Sequence, residues 1–243
     1  MRIVLVLILF LMSSQLQADY LYKTTLLRAA PGKLLELIHL LKSSAEIYST
    51  AGEEPPFIIR HSQGDHWDLL LLFPMNNYSD YYAAEKIANR KQVFDESEID
   101  ETAFKKKMAY CVAWQEEVFV YGPPLQEVKN AFQQANFFHV EMFLALAGKR
   151  AELLKQRKME NVYLKKLARP QNQIFTRDQG AAWDLFTIGF YRDLKHFAES
   201  ADIPEAKENE AARAAGFESV DQIGPYLRTL IHRHQDTLAV AVK

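Results

Sequence analysis

The sequence is short of the residues on which several common kinds of functional site depend. Cys111 is the single cysteine, which excludes an intramolecular disulfide and any metal site built from cysteine pairs. A glycine-rich phosphate loop and a serine nucleophile elbow are also missing. The function therefore has to come from side chains that these motifs do not identify.

Charge of one sign is not in excess either, because the formal net charge is −2 with both signs mixed along the chain. A near-neutral balance argues against nucleic acid as the main partner. Aromatic residues are plentiful at 12% of the chain. They indicate either a bulky core or a cavity lined by rings.

Long apolar runs are missing apart from residues 3–12, which follow the positive Met1-Arg2 and precede a polar segment ending at Ala18. A membrane span needs about 20 apolar residues, so this run predicts a secretory signal peptide over residues 1–18. We expect cleavage after Ala18 and a periplasmic or secreted chain that leaves the membrane. An uncleaved N-terminal anchor is the alternative.

A short segment occurs twice, as Q-G-D-H-W-D-L at residues 63–69 and as Q-G-A-A-W-D-L at residues 179–185. The two copies lie 116 positions apart, and the same spacing matches Gly32 to Gly148 and Ile58 to Ile174. Self-similarity at one fixed spacing indicates a structural unit used twice.

Strand and helix patterns around each copy follow the order β-α-β-β-α-β, which is the ferredoxin-like unit. We predict a first unit at residues 19–122, a linker at 123–135 and a second unit at 136–243. The predicted fold class is α+β, with two tandem ferredoxin-like units packed as a dimeric α/β barrel within one chain. Two units in one chain satisfy each other's sheet face, so further oligomers are not required.

This order resembles the dimeric α/β-barrel superfamily, and within it the NIPSNAP-like and antibiotic-biosynthesis-monooxygenase-like domains. The resemblance covers nearly all of residues 19–243 and rests on element order rather than on a short motif. Chlorite dismutase is a tandem relative, but its haem-ligating histidine has no assignable counterpart here. The resemblance implies a substrate cavity lined by the inner surface of the sheet.

The first strand of the second unit carries His139 and Glu141, where the first unit has Lys23 and Thr25. Residues two apart share one face of a strand, so the histidine and the carboxylate are candidates for an acid–base pair, with Lys23 and Thr25 as candidate ligand contacts. The alternative is a polar face that meets solvent or the partner sheet.

A second candidate is His232-Arg233-His234, just before the last predicted strand at residues 237–242. If it is extended, His232 and His234 share a face and could join His139 or Glu141 as metal ligands. We favour a polar entry to the strand, and we predict no metal site and identify no cofactor. We expect Trp114 of the first unit to correspond to His234.

The repeated Trp-Asp pairs have two interpretations. Asp68 and Asp184 either accept hydrogen bonds from nearby backbone, which we favour because buried polar groups are normally satisfied, or lie at the cavity mouths as ligand contacts. We expect a protein that binds a small apolar or aromatic ligand in the barrel cavity, as a cofactor-independent oxygenase-like enzyme. The alternatives are a non-catalytic binding or interaction module and a haem-binding protein.

Overall fold

The computed structural model describes residues 20–97, 100–180 and 183–242. The predicted signal peptide at residues 1–18 lies outside the described residues, as do Ala181 and Ala182 of the second repeat copy. Among the helices in the described ranges, none combines the length and apolarity that a membrane crossing requires.

Two halves follow one another, residues 20–122 and residues 137–242, and each repeats the same order of elements. The strands are β1 (Tyr20–Ala29), β2 (Phe57–Gly64), β3 (Leu69–Asn76), β4 (Val112–Gly122), β5 (Phe137–Ala145), β6 (Gln173–Gly180), β7 (Leu185–Tyr191) and β8 (Ile231–Ala241). The helices are α1 (Leu34–Thr50), α2 (Tyr78–Tyr81), α3 (Ala84–Glu96), α4 (Glu101–Cys111), α5 (Leu125–Gln134), α6 (Arg150–Lys166), α7 (Leu194–Ala198), α8 (Glu205–Ala214) and α9 (Ile223–Arg228). The predicted linker thus contains a helix, α5.

The eight strands form one closed antiparallel barrel in the order β1-β3-β2-β8-β5-β7-β6-β4. Each half contributes four adjacent strands, and the halves join at two equivalent seams, β2 with β8 and β4 with β6. Closure leaves no unpaired sheet edge. The predicted fold class, an α+β pair of tandem ferredoxin-like units in one chain, is confirmed.

The barrel interior is filled by apolar side chains that alternate along every strand. On β5 these are Phe138, Val140 and Met142, each at most 3% exposed. They pack with residues of the other strands and of the turns, including Tyr22, Leu26, Ile59, Leu70, Leu72, Val118, Val120, Phe175, Phe186, Ile188 and Ala239. The expectation of a ligand cavity inside the barrel is therefore wrong, because rings from both halves meet in that space.

Both ends of this interior are covered. Helix α5 places Val128 and Phe132 against the end at which β2 and β5 begin, and Phe132 stacks on Phe57 with ring centres 4.5 Å apart. Trp67 and Trp183 follow the β2–β3 and β6–β7 turns and join the same core from the other end. The repeated tryptophan is thus a core residue of each half.

The repeated aspartate ties two backbone segments together. Oδ2 of Asp68 accepts a hydrogen bond from the backbone N of Ala29 at 2.8 Å, and Oδ2 of Asp184 accepts one from the backbone N of Ala145 at 2.9 Å. The donors are the last residues of β1 and β5, where the ladder ends. This matches the structural interpretation of the Trp-Asp pair rather than a ligand contact.

The repeated glycine allows the two halves to approach closely at the seams. Gly64 has φ +125°, and a Cβ built on it would lie 2.1 Å from the backbone O of Asp236. Gly180 has φ +94°, and its Cβ would lie 2.6 Å from the backbone O of Glu117. Neither position accepts a side chain without moving the strand beside it.

We expect Gly64→Ala to lower the free energy of unfolding by about 1–3 kcal/mol, because it combines a strained φ with a backbone clash. Urea unfolding followed by circular dichroism measures the loss. Gly224→Ala is the control, since its Cβ would meet nothing within 4 Å. Equal stability of the two variants would contradict the close approach at the β2–β8 seam.

Candidate functional site

The two halves differ most on the outward face of the sheet, where the helices cover it. His139 and Glu141 of β5 point to this face, toward α6, while their neighbours Phe138 and Val140 point into the barrel. The pair therefore does not face the barrel interior, where the resemblance implied a substrate cavity. Strand periodicity puts the two side chains on one face but does not say which side of the sheet that face is.

The last strand begins earlier than predicted and brings His234 to this face. Pairing with β5 extends β8 back to Ile231, whereas the sequence predicted the last strand only from residue 237. Pairing with a neighbouring strand overrides the weak strand preference of the polar run at residues 232–235.

The predicted match between Trp114 and His234 is off by one residue. Leu27 pairs with Gln115 in the first half, and its counterpart Phe143 pairs with His234 in the second. Gln115 is thus the counterpart of His234. A shift of one residue moves every side chain of a strand to the other face, so this error matters for the site.

Four polar side chains meet on this face, and we call them the His139 cluster: His139, Glu141, His234 and Asp236. Nε2 of His139 lies 2.8 Å from Oδ1 of Asp236. Nε2 of His234 lies 3.3 Å from Oε1 of Glu141, and its Nδ1 lies 3.4 Å from Oδ2 of Asp236. The carboxylate that holds the His139 ring is thus Asp236 rather than the expected Glu141.

Helix α6 covers the cluster with charged and polar residues. Nη1 of Arg157 donates to Oε2 of Glu141 at 3.5 Å, and its Nη2 forms an ion pair with Glu160. Thr187 of β7 donates a further hydrogen bond to Glu141 at 3.1 Å. Arg157 and Gln156 are 3% and 0% exposed, so this is a buried ionic group.

At the equivalent positions, the first half carries either apolar side chains or a single ion pair. Helix α1 carries Leu40 and Leu41 where α6 carries Gln156 and Arg157, and both leucines are buried in the core between α1 and the sheet. The counterpart of His139 is Lys23, whose Nζ lies 3.2 Å from Oε1 of Glu117. Thr25 also donates to Glu117 at 3.4 Å. At these equivalent positions, the described residues of the first half thus form the same fold without a buried ionic group.

The charges of the cluster shift one another's protonation. Burial pushes the pKa of Glu141 upward, but the contact with His234 and the charge of Arg157 outweigh it and hold that pKa well below its usual range. Burial pushes the pKa of His139 downward, but its bond to Asp236 and the negative charges of Glu141, Asp236 and Glu160 together outweigh burial and raise the pKa above its ordinary value. Burial also raises the pKa of Glu160. Glu141 is therefore ionised at neutral pH.

Aromatic rings border the more exposed side of the cluster. The ring of His139 lies 5.3 Å from that of Phe197 on α7, and Phe197 also contacts Phe137 and Tyr191. The side chains of His139 and Asp236 are 21% and 55% exposed, so solvent reaches the cluster here.

The structure thus brings together three of the residues selected from the sequence, His139, Glu141 and His234. Lys23 and Thr25 lie at the equivalent place in the other half, and Asp68 and Asp184 bind the ends of β1 and β5. Sequence reasoning missed Asp236 and Arg157. An earlier start of β8 would have pointed to Asp236, which shares a strand face with His234, and the repeat alignment of Arg157 with Leu41 would have pointed to Arg157.

No protein-family model matches the chain, and no curated protein matches it. Solved structures do match, and they are dimeric α+β-barrel proteins that cover most of the chain. An anthrone oxidase-like protein is 9% identical with a TM-score of 0.55, covering 93% of this chain and 92% of that one. A candidate monooxygenase from Fusobacterium nucleatum is 10% identical with a TM-score of 0.53, covering 93% and 94%.

A candidate monooxygenase from Lactobacillus acidophilus NCFM is 10% identical with a TM-score of 0.52, covering 91% of this chain and 93% of that one. At these identities the likeness concerns the fold. It assigns this chain to the structural class of dimeric α+β barrels and carries no residue of a site across.

Proposed function

We propose that the chain is an exported protein that binds a small aromatic molecule beside the His139 cluster and acts on it as an oxygenase-like enzyme. The observation that carries this proposal is the asymmetry of the halves. A buried ionic group is costly to form and is a poor source of stability, and the first half shows that leucines serve the fold at the same positions. Departures from what the fold needs concentrate at functional sites.

The class of ligand follows from the rings around the open side of the cluster. Phe197 is half-buried beside His139 and offers a ring on which an aromatic molecule packs, while Phe137 and Tyr191 are buried behind it and hold it in place. His139 lies at the border between these rings and the buried charges. The barrel interior, by contrast, is already filled, so the ligand belongs on the helix-covered face.

The likeness to two candidate monooxygenases and an anthrone oxidase-like protein supports the oxygenase class but does not decide it. Anthrone is therefore a suitable first probe. Export is proposed from the N-terminal sequence pattern alone, and the finer relation to NIPSNAP-like domains stays a prediction.

A haem group does not fit this arrangement. Both histidines direct a ring nitrogen at carboxylates, and Arg157 and Gln156 fill the space between the sheet and α6. Added hemin is expected to give no Soret shift.

We expect His139→Ala to weaken anthrone binding or slow its consumption by about tenfold or more, since the change removes the side chain at the border between rings and charges. Calorimetry measures binding, and an oxygen electrode measures consumption. Lys23→Ala is the matched control, because Lys23 occupies the equivalent position of the first half.

The measurements also separate the alternatives. Binding without oxygen consumption would favour the non-catalytic binding module. Equal behaviour of His139→Ala and Lys23→Ala would remove the His139 cluster from the site.

A further inference from the structure

We infer that the His139 cluster binds one divalent first-row transition metal ion through His139, Glu141 and Asp236, with His234 as a further nitrogen ligand. This metal ion would belong to the site of the proposed function, and its location rests on that proposal. Metal binding is nevertheless measurable without any aromatic ligand.

The donor atoms are already close together. One ligand atom each from His139, Glu141 and Asp236 lies within 4.8 Å of the other two. Ligands about 2.0–2.2 Å from a common ion lie at most about 4.4 Å apart. Only a small closing movement is needed, and Asp236 is free to make it because its side chain is 55% exposed.

The charges around the cluster also call for a cation. Glu141, Glu160 and Asp236 bring three carboxylates, whereas Arg157 is the permanent cation that the described residues place within ion-pair distance of them. Arg157 contacts Oε2 of Glu141, whereas Oε1 of Glu141 and the carboxylate of Asp236 face the two histidines, so a divalent cation at that place would be bound by carboxylate and imidazole together. In the first half, Lys23 and Glu117 balance each other without an ion.

His234 gives an independent indication. Its Nε2 is closed off from solvent and makes an ion-pair contact of 3.3 Å with Oε1 of Glu141, outside hydrogen-bond geometry. A buried nitrogen without a hydrogen bond is costly. Stacking on Phe143, with ring centres 4.6 Å apart, holds the imidazole toward the carboxylates. A metal ion would bond to this nitrogen directly.

The mixture of donors selects the kind of metal. Imidazole nitrogen with carboxylate oxygen suits Zn²⁺, Mn²⁺, Fe²⁺, Co²⁺ or Ni²⁺. Mg²⁺ and Ca²⁺ prefer oxygen ligands throughout. We therefore expect Zn²⁺ and Co²⁺ to bind and Mg²⁺ to bind far more weakly.

The test is a calorimetric titration of chelator-treated full chain with ZnCl₂, repeated with CoCl₂ while the visible absorption of Co²⁺ is recorded. We expect one ion per chain, and a loss of affinity of about 10–100-fold in Asp236→Asn and in His139→Gln. Glu117→Gln is the control, because Glu117 is the counterpart of Asp236 in the first half. Asp236→Asn keeps the side-chain shape at an exposed position, and circular dichroism checks that the variants fold.

Failure to bind either ion, or equal affinity in wild type, Asp236→Asn and His139→Gln, would overturn the inference. Binding of Zn²⁺ without binding of anthrone would leave the metal site and remove the proposed function. Anthrone binding that depends on His139, without any metal binding, would overturn the metal site and keep the proposed function with cofactor-independent chemistry.

Discussion

Arg157→Leu is expected to lower the free energy of unfolding by about 3–5 kcal/mol, the usual cost of removing one partner from a buried ion pair. Arg157 is 3% exposed and is the cation in contact with both Glu141 and Glu160. Without it, the buried Glu141 and the partly buried Glu160 lose their common cation, while leucine fills only part of the space. Urea unfolding at neutral pH measures the loss.

The first half of the chain supplies the compensating changes. Glu141→Thr and Glu160→Ser, made together with Arg157→Leu, copy Thr25, Ser44 and Leu41 of the first half. Replacing a whole buried ionic group by packed neutral residues is often neutral or stabilising. We therefore expect the triple variant to recover most of the stability that the single variant loses, and to lose Zn²⁺ binding. A loss below about 1 kcal/mol in Arg157→Leu would instead be typical of a solvent-screened surface pair.

Phe138→Ala is expected to cost about 3–5 kcal/mol, the range for removing a buried aromatic ring from a packed core. Phe138 is fully buried in the barrel interior, near the end covered by α5, and contacts Phe132 and Phe190. The variant should also contain a new apolar cavity that binds benzene or xenon.

Leu35→Ala is the control for this variant, since Leu35 is 76% exposed on α1. Its unfolding free energy should stay within about 0.5 kcal/mol of wild type. A wild-type chain that already binds benzene inside the barrel, with little change in Phe138→Ala, would restore the barrel cavity as the ligand site.

The fold was predictable because its two halves repeat the residues with the strictest geometric demands. Gly64 and Gly180 hold positive φ where strands of the two halves approach, and Trp67 and Trp183 enter the same core. Such positions accept few residue types, so the copies remain recognisable although most other positions differ. The order of strands and helices then follows from the apolar patterns around them.

The site was predictable only in part. Alternation along β5 identifies His139 and Glu141 as neighbours on one face, but β5 also carries large apolar residues on both faces, Phe137 and Phe143 outward and Phe138 and Val140 inward. The sequence therefore does not indicate which face meets the helices. Which face of β5 meets the helices depends on how the four strands of each half close into one barrel, and this is a property of the whole chain.

The start of β8 is the second feature of the site that could not be predicted from the sequence. His234 and Asp236 lie in a polar run with little strand preference, and only pairing with β5 extends the strand through them. Asp236 could not be joined to His139 until this register was known, because its distance along the chain carries no information about pairing. The first half forms the same fold with leucines at the positions of Gln156 and Arg157, so these polar residues belong to the site and not to the fold.

The most direct measurement is anomalous diffraction from crystals of the chain soaked with Zn²⁺. The site proposed on the helix-covered face of the second half predicts one strong zinc peak between His139, Glu141 and Asp236, within about 2.0–2.2 Å of their donor atoms. It also predicts no comparable peak beside Lys23 and Glu117. A zinc peak only at other surface histidines, such as His39 or His66, would contradict it.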